Sequence, residues 1–319
     1  VITCLGLSPA LDVTYLVDRV GVGEIHRPRT VLTLPGGKAL NAARAIVALG
    51  GRARAIVPLG GFAGARLRAE LEPLGLDVAA IATDRETRSC VTVYDDAGTT
   101  TEFYEATPEL GDAAWAEVLA AVGAVDGGWL AVSGSLPEAR ATSLALALGD
   151  AGRRGVSVAV DTHGAALREI LARARPALVK VNRSEAAALL ALGSDGAGAG
   201  SPDVESLARA IGERGAGIAI VTDGAAGAVA THGAAVWRCA PPETGRYAVG
   251  SGDCFLAGLL VAFDGSGTAD VTAAQVPGAL GLATAAAAAN TRVPGAAVFS
   301  PDVVRELRAA VTVDGGTRV

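Results

Sequence analysis

Short runs of Val, Ile and Leu recur along this chain with helix-spaced segments between them, and that alternation constrains the fold more than any other feature. The apolar runs cover residues 1–7, 53–59, 129–133, 157–161, 178–181 and 218–222, and Ala/Leu/Arg segments at helical spacing fill 39–49, 64–74, 141–153, 165–174 and 184–192. A strand covered on both faces reads as a continuous apolar run, and strand-helix alternation returns each strand to a parallel neighbour. The rhythm therefore predicts a mostly parallel sheet between two layers of helices. Further strands are expected at 227–231 and 234–239, then helices over 252–263, 271–289 and 301–311. Half of the 319 residues are hydrophobic but only 4% are aromatic, so the core is expected to be Ala, Val and Leu packed closely on the sheet.

Two stretches break the rhythm. Residues 14–34 alternate with β-branched side chains, and 89–94 and 99–104 do the same on either side of Asp95-Asp96-Ala97-Gly98, a hairpin-like turn. They predict a small antiparallel sheet attached to the main domain, which would serve either as a lid over a site or as a plain sheet edge. The Gly/Ser-rich segment 193–202 reads as a surface loop, because the alternation resumes beyond it, and 1–319 is expected to be one domain.

Charge and cysteine usage remove several classes of function. A net charge of −6 offers no basic face to nucleic acid, which points to small-molecule partners. The four cysteines show no CxxC pair or zinc spacing and are expected to be reduced, in a soluble cytoplasmic protein with no membrane span. No GxxxxGK[ST] loop is present, no GxGxxG opens the first helix, and Ser133-Gly134-Ser135 lacks the GxSxG elbow. His26, His163 and His232 are scattered without metal spacing, and none is assigned a catalytic role.

The segment Gly250-Ser251-Gly252-Asp253 places three small residues before an acid that opens an apolar helix. Backbone N–H groups at such a helix start can hold a phosphoryl group, and Asp253 beside it could take the proton of an attacking hydroxyl. The positive helix end is expected to keep Asp253 ionised, and a simple N-terminal cap explains the same residues. In Pro35-Gly36-Gly37-Lys38-Ala39-Leu40-Asn41, two glycines admit a ligand to the backbone while Lys38 and Asn41 offer donors, or else a glycine turn precedes a helix with a solvated lysine. Asn182 and Glu185 are spaced to organise Mg²⁺ around phosphates, although on their own they read better as a capping box. Thr222, Gly224 and Gly227 lie in a small-residue turn that could touch nucleotide phosphates or be a plain hairpin.

Taken in order, these segments resemble the ribokinase-like (PfkB) carbohydrate kinases almost from end to end. The matching pieces are Ser8-Pro9-Ala10-Leu11-Asp12, Gly23-Glu24-Ile25-His26-Arg27, Gly36-Gly37-Lys38, Thr87-Arg88, Ser133-Gly134-Ser135-Leu136-Pro137, Asn182 to Glu185 and Gly250-Ser251-Gly252-Asp253. The opening Pro-Ala-Leu-Asp, Thr87-Arg88 and Gly-Ser-Leu-Pro look like the phosphofructokinase branch, which acts on sugars already bearing a phosphate. The resemblance implies a three-layer αβα domain with a β-sheet lid, over about 14–34 and 89–104, that mediates dimerisation. It implies ATP and Mg²⁺, with Asp253 as base and the amides of Gly250, Ser251 and Gly252 as the anion hole. Asp12, Gly36, Gly37, Asn41 and Ser135 would hold sugar hydroxyls, and Arg88 with Lys38 the substrate phosphate. ATP would lie over Lys180, Asn182, Thr222, Gly224 and Gly227, with the helix ending at Asn290 on its adenine side, and Glu185 would help place Mg²⁺. The expected reaction is phosphate transfer to a hydroxyl of a ketohexose phosphate, the alternatives being a kinase of a free sugar or nucleoside and a silent binding protein.

Overall fold

The computed structural model describes residues 1–191, 202–265 and 271–316, so the loop expected over 193–202 lies, apart from Pro202, outside the described residues. The strands are β1 (Ile2–Leu5), β2 (Ala10–Val17), β3 (Thr30–Gly36), β4 (Ala53–Leu59), β5 (Asp77–Ala82), β6 (Arg88–Asp95) and β7 (Thr100–Tyr104). Then come β8 (Trp129–Ser133), β9 (Ser157–Asp161), β10 (Leu178–Asn182), β11 (Ile218–Thr222), β12 (Ala228–His232), β13 (Ala235–Ala240) and β14 (Thr312–Gly316). Helices α1 (Lys38–Ala48), α2 (Gly61–Leu71), α3 (Asp112–Gly123), α4 (Ala141–Arg153) and α5 (Gly164–Ala174) are followed by α6 (Arg183–Ala191) and α7 (Val204–Glu213). The last three are α8 (Ser251–Asp264), α9 (Val276–Asn290) and α10 (Pro301–Ala310).

Ten strands form one sheet in the order β14-β13-β12-β11-β10-β9-β8-β1-β4-β5. It is parallel from β5 to β11 and antiparallel from β11 to β14. Successive side chains along a strand point to opposite faces, and both faces are apolar: in β4, Ala55 and Val57 join the cluster under α1, α8 and α9, while Ile56 joins the cluster under α3, α4 and α5. The sheet is thus sealed on both sides, as the continuous apolar runs predict. Small side chains let the helices approach closely: a Cβ added at Gly258 of α8 would fall 2.5 Å from Ala283 Cα of α9. No helix among the described residues is long and apolar enough to cross a membrane.

The second sheet is separate and small, in the order β3-β2-β6-β7. Its outer pairs β2–β3 and β6–β7 are antiparallel, as expected, and a parallel β2–β6 pairing joins them. The strands start earlier than the pattern predicts, at Ala10 and Arg88, so Asp12, Gly36 and Arg88 stand at the root of the lid, where it leaves the main domain. The expectation missed β5, β14, α3 and α7. Both strands are sheet edges, where the apolar signal is weakest: β14 is Thr-Val-Asp-Gly-Gly, recruited by pairing to β13.

Candidate active site

Helix α8 starts one residue after Gly250, whose φ of 84° is a left-handed conformation that suits glycine. Space makes the same demand, since a Cβ there would lie 2.7 Å from Ala297 N and 2.8 Å from Ala296 Cα. Within the turn, Ser251 N–H donates to Ala248 O at 3.1 Å, so that amide is already engaged. A Cβ on Gly252 would fall 3.0 Å from Lys180 Nζ, which places that ammonium directly against the turn.

Asp253, in the first turn of α8, is buried and accepts a hydrogen bond from Asn41 Nδ2 at 2.9 Å. The helix end does not hold its carboxyl in the ordinary range. Burial, reinforced by the charge of Asp161, pushes the carboxyl up to about 7 against the pull of Lys38, Lys180 and Asn41.

The charges around it form a chain. Asp161, at the end of β9 and 0% exposed, accepts from Lys38 Nζ at 2.9 Å on one oxygen and from Lys180 Nζ at 2.7 Å on the other. Burial disfavours its charge, but Lys180 and Lys38 prevail and hold its pKa below the usual carboxylate value. Lys38 also reaches Glu185 Oε1 at 3.3 Å, and although burial opposes its charge, Asp161, Glu185 and Asp253 hold its pKa above that of a free lysine. Lys38 is therefore part of an ion network and not a solvated lysine. The cluster sits at the carboxyl ends of β9 and β10, where open α/β sheets bind their ligands.

Residues 2–303 match the model of the pfkB family carbohydrate kinases. The chain belongs to the pfkB family. Phosphofructokinase-2 from Escherichia coli, crystallised with substrates and products, is similar over 97% of this chain and 98% of its own, with a TM-score of 0.86 and 27% identity. The same enzyme crystallised with fructose-6-phosphate gives a TM-score of 0.84 at 26% identity over 97% of this chain and 98% of its own. A possible 1-phosphofructokinase from Thermotoga maritima shares the fold, with a TM-score of 0.82 at 22% identity, over 98% of this chain and 99% of its own. The protein is a sugar kinase, a phosphotransferase with an alcohol group as acceptor.

Other expected residues of this pfkB kinase fall around the cluster. Asp12 packs against Gly36, where a Cβ would come 1.9 Å from Asp12 Oδ2, and burial raises its carboxyl to about 6 against Gly37 N–H, Arg44 and Arg88. Gly37, with φ 88°, lies over Ser8 O. Asn41, expected to bind sugar, is buried, donates to Asp253 Oδ2 at 2.9 Å, accepts from Arg44 Nη1 at 3.3 Å and also bonds Asp12. Arg88 donates to Glu105 O at 3.0 Å and Ser8 O at 3.4 Å, and its buried Nε has no partner among the described residues. Ser135 is exposed on a cavity of about 460 Å³ shared with Thr107, Pro108, Leu136 and Arg140.

At the start of α6 the capping box forms: Asn182 Oδ1 accepts from Glu185 N–H at 2.8 Å and Glu185 Oε2 from Asn182 N–H at 2.9 Å. The hairpin also forms, with Asp223 N–H bonded to Gly227 O at 2.8 Å and no room for a Cβ on Gly227, 2.0 Å from Cys239 O. Thr222 and Gly224 border that turn, Thr222 Oγ1 donating to Val181 O at 3.4 Å. Asn290 does not face an open surface: it is 0% exposed and braces the segment leading into α8 by donating to Tyr247 O, Val249 O and Ser251 Oγ. Asp161 and Arg44 were missed. An acid closing an apolar run at the carboxyl end of a strand was the available signal for Asp161. No group of three or more His, Cys, Asp and Glu side chains suited to a metal exists among the described residues.

Proposed function

We propose that this sugar kinase moves the γ-phosphate of ATP to a hydroxyl of a phosphorylated ketohexose, with Asp253 as general base. The acceptor hydroxyl would give its proton to an Asp253 oxygen as its own oxygen bonds to the γ-phosphorus and the bond to the ADP oxygen breaks. Asn41 keeps the carboxylate aimed. The amides of Gly250 and Gly252, with Lys180 against the turn, would carry the charge of the transferring group. Positioning and fixed charge supply the catalysis, without a covalent intermediate.

The oxygen donors fit Mg²⁺, which usually takes one or two carboxylates, several waters and substrate phosphates. Glu185 would hold it through Oε1, the oxygen not spent on the capping box. When bound it neutralises charge on the phosphates.

One observation carries the choice of a phosphosugar. Arg88 stands at the lid root beside Asp12 with backbone carbonyls as its acceptors, no carboxylate at ion-pair distance among the described residues and one buried N–H unpaired. A guanidinium with no direct ion pair among the described residues at the sugar end suits a phosphate group on the acceptor. The similar Escherichia coli phosphofructokinase-2, crystallised with fructose-6-phosphate, supports the same acceptor class.

The experiment compares wild type and Arg88→Ala on fructose 6-phosphate, fructose 1-phosphate, tagatose 6-phosphate and free fructose. A charge-assisted bond contributes about 1.5–3 kcal/mol, so kcat/KM on the preferred phosphosugar should drop roughly 10–10²-fold while activity on fructose changes far less. Equal losses on phosphorylated and free sugars, or a wild type that prefers the free sugar, would sink the phosphosugar assignment.

A further inference from the structure

Arg44 lies on α1 outside the expected site, yet its guanidinium is spread over acceptors from distant parts of the chain. Nη1 donates to Pro35 O at 2.9 Å, Asn41 Oδ1 at 3.3 Å and Ala296 O at 3.2 Å, and Nη2 to Ala297 O at 3.4 Å. Pro35 belongs to β3, the lid strand that leads into α1, while Ala296 and Ala297 follow α9. None of these acceptors is a carboxylate. The arrangement is a planar fork holding backbone in place, which a different cation cannot reproduce.

The contact with Asn41 has a chemical consequence. A guanidinium offers donors only, so the end of the amide facing Arg44 must be the oxygen. The amide nitrogen is then turned to Asp253, to which it donates at 2.9 Å. Reversed, the side chain would set an oxygen against a carboxylate oxygen, and an ionised carboxylate can only accept.

The contacts with residues 296 and 297 act on the anion hole. Ala297 holds a φ of 55°, a conformation that residues with side chains keep only when their surroundings impose it. These two residues are also the floor beneath Gly250, where a Cβ would meet Ala297 N at 2.7 Å. One side chain thus touches the lid root, the residue that aims Asp253 and the backbone that seats the anion-hole turn.

We infer that Arg44 is a positioning residue that locks Asp253 and the anion-hole turn into one frame, so that it governs kcat and not the affinity for either substrate. The role rests on the reading of Asp253 as the base. Reacting groups displaced by about 1 Å lose on the order of 10²-fold in rate, which sets the scale.

The test uses Arg44→Ala, Arg44→Lys and Asp253→Asn in the full-length enzyme, with steady-state kinetics in both substrates. Arg44→Ala should lower kcat roughly 10–10²-fold with each KM within about threefold of wild type. Millimolar methylguanidinium should restore part of that loss and none of the loss in Asp253→Asn. Arg44→Lys keeps the charge without the fork and should stay slow; if Arg44→Ala does not fold, this variant decides alone. Near-native kcat in either folded Arg44 variant, a loss confined to KM, or no rescue of folded Arg44→Ala overturns the assignment. Turnover surviving in Asp253→Asn overturns the base and this role with it, whereas an inactive Asp253→Asn beside a fast Arg44→Lys removes the Arg44 role alone.

Discussion

Lys180 and Asp161 meet at 2.7 Å with side chains only 4% and 0% exposed, at the point where β9 and β10 end beside the turn that opens α8. The pair is shared, because Lys38 occupies the other Asp161 oxygen. Asp161→Asn would leave Lys180 buried without its counter-charge, and breaking a buried pair in this way costs about 3–5 kcal/mol. Urea unfolding should show a loss of that order. The substitution also removes a negative charge that raises the pKa of Asp253, so the acid limb of the rate profile should move to lower pH. A loss below about 1 kcal/mol with an unmoved profile would contradict the shared-pair account.

The raised carboxyl of Asp253 predicts a pH dependence of its own. With a pKa of about 7, the base is half protonated at that pH, and kcat/KM should fall about tenfold per unit as pH drops further. Asp253→Asn should cut kcat at least ~10²-fold while nucleotide affinity stays near wild type. The effect on stability has the opposite sense. From the ordinary value of 3.8 up to about 7, the folded chain keeps a proton that the unfolded chain has released, so this contribution falls as pH rises through the window. At pH 8, then, Asp253→Asn should melt above wild type. A flat kcat/KM between pH 5.5 and 8 would exclude Asp253 as the titrating base.

Glu185→Gln separates two roles that the geometry superimposes. Gln can still accept from Asn182 N–H, so the capping box survives and the melting temperature should shift little. What disappears is the charge facing Lys38 at 3.3 Å and any cation bound there. The Mg²⁺ concentration for half-maximal rate should therefore rise. An unchanged Mg²⁺ requirement would restrict Glu185 to capping α6 and pairing with Lys38.

The lid bears apolar side chains in water: Ile25 is 83% exposed and Phe103 61%, with Val22, Val31 and Tyr104 also exposed. A patch of this kind marks an interaction surface, and we propose that two chains pair through their lids. Light scattering should give twice the chain mass at working concentration, and the double variant Ile25→Asp/Phe103→Asp should run as a monomer. A monomeric wild type would contradict the lid dimer.

The main sheet was legible because each buried strand carries its burial in its own residues, as in the run Ser157 to Asp161. The lid was legible from the alternation that meets at the Asp95–Gly98 turn. Strand β14 was not, since Thr312–Gly316 has no strand signal until β13 supplies its partner. In the site, three small residues before an acid announced the turn at Gly250, but the number of open amides depended on where Ser251 N–H went. The protonation of Asp253 was illegible because burial by other segments, and Asp161 from β9, outweigh the local helix end. The contacts of Asn41 were illegible for a similar reason: its neighbours Asp253 and Arg44 converge on it only after folding.

The contact between Gly258 and Ala283 bears on how this enzyme can vary. Asp253 is five residues from Gly258 on α8, about 7.5 Å along the axis, and the gap between the two helices is set by a missing methyl group. With 2.5 Å between a new Cβ and Ala283 Cα, even Gly258→Ala would have to move a helix. Gly258 and the acid share helix α8. Drift in this seam is therefore coupled to a carboxyl more than a turn away, and both positions are held small.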